Sequence, residues 1–335
     1  MGQAEEHARI SRAYVRFAET EARGRSPLYE ALSLGVAADP EVLGFLAALP
    51  AEQRQPNLLL AALRRLFGTV GDYGEFRRRI LDNSDAVRSL ILARSTQTNE
   101  PGRCATLLPV LAMLPQPLAL LEVGASAGLC LLPDCYGYDY DRHRVPADPP
   151  RPIFPCEADS KTPLPRELPE IVWRAGLDLE PIDLADPEQV AWLEALVWPE
   201  ETDRLDRLRA AIEIARGRKP RVVKGDLLRD LAALAAEAPK DATLVVFHTA
   251  VLVYVRSPSD RAEFVRSVIS VCDFWLANEA PAVFPEIAEG AGNPGSAGRY
   301  LMSVNERPVA WADFHGRWIH WIADPPGPYP AGGRR

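Results

Sequence analysis

The densest group of side chains that could do chemistry together lies in the run LALLEVGASAGLCLL, residues 118–132. An uncharged aliphatic stretch ends in Glu122, Gly124-Ala125-Ser126-Ala127-Gly128 follow, and a second apolar stretch comes after. The pattern predicts a buried strand, a tight turn of small residues and the start of a helix. The unpaired N–H groups and partial positive charge of a helix start can hold an anion or a cofactor tail. A second chemistry fits the same letters. Gly124-Ala125-Ser126-Ala127-Gly128 is also G-x-S-x-G, the elbow that exposes a nucleophilic serine.

Other candidates lie on either side of this run. In TQTNEPGR, just upstream, Asn99, Glu100 and Arg103 can point into a pocket at the sheet edge; alternatively, Asn99 is the N-cap ahead of Glu100-Pro101. Downstream, Tyr136, Tyr138 and Tyr140 alternate in DCYGYDYDRHR, which puts three rings on one face of an extended segment. They form either a substrate-contacting wall or ordinary edge-strand packing. His248 ends the clear strand TLVVFH and is the first candidate for a general base, with Glu100 second. The alternative for His248 is a buried, hydrogen-bonded core histidine. His315 and His320 flank Trp318 without a companion Cys/His cluster, so no metal site is expected.

The elements that must carry these residues change character along the chain. Residues 1–103 read as an all-α domain, with helices over Ala8–Thr20, from Ser26-Pro27, over Glu41–Leu49, Asn57–Phe67, Tyr73–Ile80 and Asp85–Ala93. Such a domain serves as a homodimer surface or as a lid. Cys104–Leu121 has no charge over eighteen residues, but Pro109, Pro115 and Pro117 make it a buried helix followed by a strand, not a membrane span. Residues from about 142 to 170 read as a loop insertion, with eight prolines between Pro146 and Pro169. Strands over Ile171–Asp178, Arg221–Lys224, Thr243–His248 and Phe274–Glu279 then alternate with helices, which implies a parallel sheet. Tyr300–Asn305, Val309–Phe314 and Trp318–Ile322 read as an antiparallel meander that closes it, and residues 325–335 as a fraying tail. The whole is an α/β chain, with a helical domain over 1–103 and a Rossmann-like domain over 104–324.

Composition narrows the partners. The chain has 335 residues, 47% hydrophobic and 25% charged, with a net charge of −8, values of a soluble globular protein with no affinity for nucleic acid or an anionic membrane. Five cysteines without paired spacing, and an N-terminus MGQAEEHARISRAYVRF lacking an apolar core, point to the cytoplasm. A small-molecule substrate is expected.

Position in the chain separates the two chemistries of the turn. A hydrolase elbow needs strands and an oxyanion-hole loop ahead of it, yet here only helices precede it. Asp226 or Glu279 followed by His315 would otherwise complete the order serine, acid, histidine. A dinucleotide fingerprint G-x-G-x-x-G is absent.

The order of features over roughly residues 105–322 resembles class I methyltransferases that use S-adenosylmethionine (SAM). That resemblance implies SAM over the turn formed by Glu122, Gly124, Ala125, Ser126 and Gly128. It further implies Asp178 on the ribose hydroxyls, Asp226 and Leu227 near the adenine, and His248 at the reacting end. Ser126 stands where the family has its middle glycine. More closely, TQTNEPGRCATLLPVLAMLPQPLALLEVGASAGLCLL, with YGYDY, GLDLEPID, EALVWPE and VVKGD, resembles the actinobacterial family DUF2332 over nearly the whole chain. That family implies a methyltransferase-like fold. A serine hydrolase using Ser126 and a catalytically idle SAM-fold binding protein remain the alternatives.

Overall fold

The computed structural model describes residues 2–97, 99–146, 148, 152–292 and 299–323. The chain forms two compact units, Met1–Thr98 with Asp186–Asp206, and Asn99–Ala185 with Arg207–Arg335. The expected tail, 325–335, lies outside the described residues.

Six helices open the chain: α1 (Gln3–Phe17), α2 (Pro27–Ala38), α3 (Pro40–Ala47), α4 (Pro56–Phe67), α5 (Tyr73–Asp82) and α6 (Ser84–Ala93). Prolines in the first turn start α2, α3 and α4, while Ser26, Asp39 and Asp72 cap the N-termini of α2, α3 and α5 with side-chain oxygens. Their apolar faces share one core, which includes Tyr14, Leu32, Leu46, Leu59 and Ile80. The linear boundary at residue 103 does not contain all of this unit. Trp192 and Trp198 join the same core, and their indole N–H groups donate to Ser95 O at 2.9 Å and Asn57 Oδ1 at 3.2 Å.

The second unit begins with α7 (Cys104–Met113), whose residues Cys104–Leu111 are all buried. That burial accounts for the uncharged stretch, and no helix among the described residues is long and apolar enough to cross a membrane. Next comes β1 (Leu118–Val123), buried on both faces. The expected helix after the turn does not form. Only single 3₁₀ turns occur, at Leu129–Leu131 and Pro133–Cys135, because Pro133 withholds a donor and the chain turns straight into β2 (Gly137–Asp139). The segment expected as loop contains three short strands, β3 (Arg144–Val145), β4 (Ile153–Pro155) and β5 (Glu157–Ala158). β3, β2 and β4 make a small sheet of their own, tolerant of Pro155 because β4 is a short edge strand.

The large sheet is completed by β6 (Ile171–Asp178), then, after α8 (Pro187–Ala195) and α9 (Thr202–Arg218), by β7 (Arg221–Lys224). Of the expected helix 227–237, only α10 (Leu231–Ala235) is regular. β8 (Thr243–Thr249), α11 (Pro258–Val271), β9 (Phe274–Glu279), α12 (Pro285–Glu289), β10 (Arg299–Val304), β11 (Arg307–Asp313) and β12 (Trp318–Trp321) follow. The nine strands run β5-β12-β11-β10-β9-β8-β1-β6-β7, mostly parallel, with the meander antiparallel as expected. The parallel strands β7-β6-β1-β8-β9 have the order 3-2-1-4-5, which reverses direction between β1 and β8. Crevices outside the strand ends at such a switch point are where α/β sheets bind ligands.

Register decides which residues share a face there. One face buries Val123, Val246, Trp275 and Ala277 against α10 and α11. The other carries Glu122, which pairs with Phe247, and Asn278, which pairs with Thr249 on β8 and Met302 on β10.

Candidate active site at the strand ends

The turn after β1 is built by packing as much as by flexibility. Gly124 has φ +72°, and a Cβ there would lie 2.2 Å from a Val251 methyl. Gly128 also has φ +72°, against Val222 and Pro220. Ser126 adopts φ +50°, a left-handed conformation that costs a non-glycine residue strain. The turn's donors are largely spent inside the protein. Gly124 N–H donates to Leu177 O at 2.7 Å, Ser126 N–H to Asp178 Oδ2 at 2.8 Å, Gly128 N–H to Ala125 O at 2.7 Å and Leu129 N–H to Asn99 Oδ1 at 2.9 Å. With no helix behind it and few free N–H groups, the turn is not an anion cradle.

Asn99 closes the circuit by donating Nδ2 to Ala125 O at 3.1 Å, so its amide clamps both sides of the turn. It does not cap a helix; Glu100 caps the 3₁₀ turn after it, by accepting from Gly102 N–H at 3.0 Å. Glu100 Oε2 also faces His315 Nδ1 at 3.5 Å.

Around the turn stand the predicted acids. Glu122 is 1% exposed, its Oε2 has no hydrogen-bond partner, and the Ser126 hydroxyl is likewise buried without one. Burial pushes the Glu122 carboxyl well above the usual carboxylate range, Cys130 and Asp178 add to the shift, and Arg103 opposes it. Asp178 is half-buried and uses one oxygen on Ser126 N–H and the other on Glu180 N–H. Asp226 accepts from Leu228 N–H, and Leu227 packs onto the core beneath α10.

His248 is not available as a base. It is fully buried, accepts Trp275 Nε1–H on Nε2 at 2.9 Å, and meets Glu279 Oε1 with Nδ1 at 2.7 Å. Indole nitrogen only donates, so Nε2 is unprotonated and the proton sits on Nδ1, bonded to Glu279. Glu279 Oε1 also accepts from Val251 and Leu252 N–H at 2.8 and 3.0 Å, which fixes the loop against Gly124. The histidine is a core brace. Ser126 Oγ makes no hydrogen bond to any histidine among the described residues, so the hydrolase elbow has neither base nor following helix.

Tyr136, Tyr138 and Tyr140 are fully buried, and their hydroxyls donate to Leu129, Pro133 and Ala105 carbonyls at 2.9, 2.7 and 2.6 Å. They are packing, not a substrate wall, because every polar atom they own is already paired with backbone. Arg103 is brought to the strand ends: Nε donates to Phe314 O at 2.8 Å and Nη1 to Thr249 O and Oγ1 at 3.1 and 3.2 Å. Asn278 carries little signal in the sequence. It is 0% exposed with neither amide atom hydrogen-bonded, and the one available signal was an amide at the buried end of FWLANE.

No curated protein matches the chain. A solved structure described as a possible exported protein from Bordetella parapertussis aligns with it at 12% identity, over 88% of this chain and 78% of that one, with a TM-score of 0.28. A family model described as an uncharacterized protein conserved in bacteria matches residues 11–321, and on that extent the chain belongs to the family DUF2332.

Proposed function

We propose that this chain is a SAM-dependent methyltransferase acting on a small molecule, built on a Rossmann-like, methyltransferase-type sheet. The observation that carries the reading is the placement of acids on one side of the switch point. β1, β6 and β7, adjacent and parallel, carry Glu122 near the end of the first, Asp178 at the end of the second and Asp226 just past the third. Buried oxygens of Glu122 and Ser126 without partners, beside a tight left-handed turn, support a ligand that brings its own hydrogen-bond donors.

When bound, SAM supplies an electrophilic methyl group, whose transfer needs alignment more than proton chemistry. Asp178 would offer its half-buried carboxylate to the ribose hydroxyls while still holding the turn. Asp226 and Leu227 would hold the adenine. Gly124, Ala125 and Gly128 provide a close-packed backbone wall, since their N–H groups are spent. With both nitrogens of His248 committed, Glu100 Oε2, which faces His315 Nδ1 while Oε1 holds Gly102 N–H, would take the proton of an acceptor that starts protonated.

Calorimetric titration of the full chain with SAM and S-adenosylhomocysteine tests this. Binding of both is expected, weakened roughly tenfold, about 1.4 kcal/mol, by Asp178→Asn. Absence of any binding at millimolar concentrations removes the reading. Binding without turnover of any acceptor identifies an idle SAM-fold protein instead.

A further inference from the structure

Arg103 is a buried cation without a counter-ion. The residue is 5% exposed, and its hydrogen bonds go to neutral acceptors, Phe314 O, Thr249 O and Thr249 Oγ1. Its guanidinium carbon lies 5.5 Å from the centroid of the Tyr300 ring. No carboxylate among the described residues pairs with it, and Nη2 has no hydrogen bond there. The Glu122 carboxyl, which feels Arg103, is itself pushed toward its neutral form by burial. Buried charges in proteins are ordinarily paired.

A second observation lies directly beneath it. Thr249 is on β8 and Tyr300 on β10, so a guanidinium in contact with both spans β9, where Asn278 occupies the same face. Asn278 is fully buried with both Oδ1 and Nδ2 unpartnered. Thr249 Oγ1 accepts from Arg103 and retains its own proton to donate. One positive charge and two neutral donors match a single negative charge with two in-plane acceptors.

We propose that Arg103, Asn278 and Thr249 form a receptor for the carboxylate of a small-molecule ligand. Arg103 Nη2 supplies charge and a donor, Asn278 Nδ2 and the Thr249 hydroxyl complete the set. The carboxylate belongs either to the amino-acid tail of a nucleoside cofactor or to the molecule acted upon. The receptor stands independently of methyl transfer.

The test titrates the full chain with acetate, propionate and benzoate against acetamide, propionamide and benzamide, by calorimetry and thermal shift. The acids are expected to bind and raise Tm while the amides do not, and Asn278→Asp, which sets a like charge against the carboxylate, should weaken the acids roughly tenfold or more. S-adenosylhomocysteine and 5′-methylthioadenosine, which lacks the amino-acid tail, separate the sources. If Asn278→Asp erases the preference for the former, the carboxylate is the cofactor's; an unchanged preference assigns it to the other substrate. Amides that bind as tightly as acids overturn the receptor, as does failure of every acid to bind at roughly 100 mM, where fragments this small should register. If Asn278→Asp does not fold, the acid–amide comparison on the wild type decides alone. Acids that bind when neither nucleoside does leave the receptor standing and remove the methyltransferase reading.

Discussion

Replacing Asn99 by alanine isolates the clamp that shapes the turn. The side chain is 7% exposed and makes two hydrogen bonds, Nδ2–H to Ala125 O at 3.1 Å and Leu129 N–H to Oδ1 at 2.9 Å. Asn99→Ala leaves the buried Leu129 N–H without a partner, while Ala125 O keeps its hydrogen bond from Gly128 N–H at 2.7 Å. The orphaned N–H costs about 1–3 kcal/mol, so the variant should lose roughly that much. For a unit of this size, such a loss lowers Tm by roughly 3–10 °C. Urea denaturation gives the free energy, and hydrogen exchange of the Leu129 amide locates it, since that N–H should lose protection first. Asn99→Asp keeps the acceptor for Leu129 but opposes a carboxylate to Ala125 O, and should rescue none or little of the loss at neutral pH. A variant within about 0.5 kcal/mol of the wild type, with Leu129 still protected, would refute the clamp.

The buried Glu122 makes stability depend on pH. Its folded pKa is raised, so the folded chain holds a proton that the unfolded chain has released, and stability falls as pH climbs from the ordinary carboxyl value of about 4.3 toward the raised one. Glu122→Gln abolishes that fall and should gain on the wild type through this window; a pH-independent difference in urea midpoint contradicts it. Ser126→Gly relieves the left-handed serine and should raise stability by about 1 kcal/mol, read by urea midpoint, whereas the wild type should resist labelling by a fluorophosphonate probe. His248→Ala leaves the Trp275 indole and the Glu279 carboxylate short of a partner in a dry core and should cost about 3–5 kcal/mol, so any activity lost must track the folded fraction in circular dichroism.

Patterns of hydrophobicity and proline placement were enough to locate most elements, because they act within a few residues. LALLEV reads as a buried central strand since β1 has neighbours on both edges and cover on both faces, and its first four residues carry no charge. The four later strands and the meander follow from the same local logic, as do the proline-started helices. The turn's outline was legible as well: small residues at 124–128 are required where Val251 and Val222 press on the backbone.

Pairing was not legible, because it joins residues far apart in sequence. Asn99 and His248 have side chains that suit a pocket as well as a brace, and only the meeting of Asn99 with Ala125, and of His248 with Trp275 and Glu279, commits them to bracing. Tyr136, Tyr138 and Tyr140 alternate as a binding wall would, yet the carbonyls that take their protons come from Leu129, Pro133 and Ala105. Asn278 shows the converse: its type and neighbours in sequence say little, and sheet register sets it between Thr249 and Met302 with no partner for its amide. Local sequence therefore determined the strands and the tight turn. Tertiary structure decided which polar groups satisfy one another inside the protein and which are left without a partner, since hydrogen-bond satisfaction in the interior depends on every strand that reaches it.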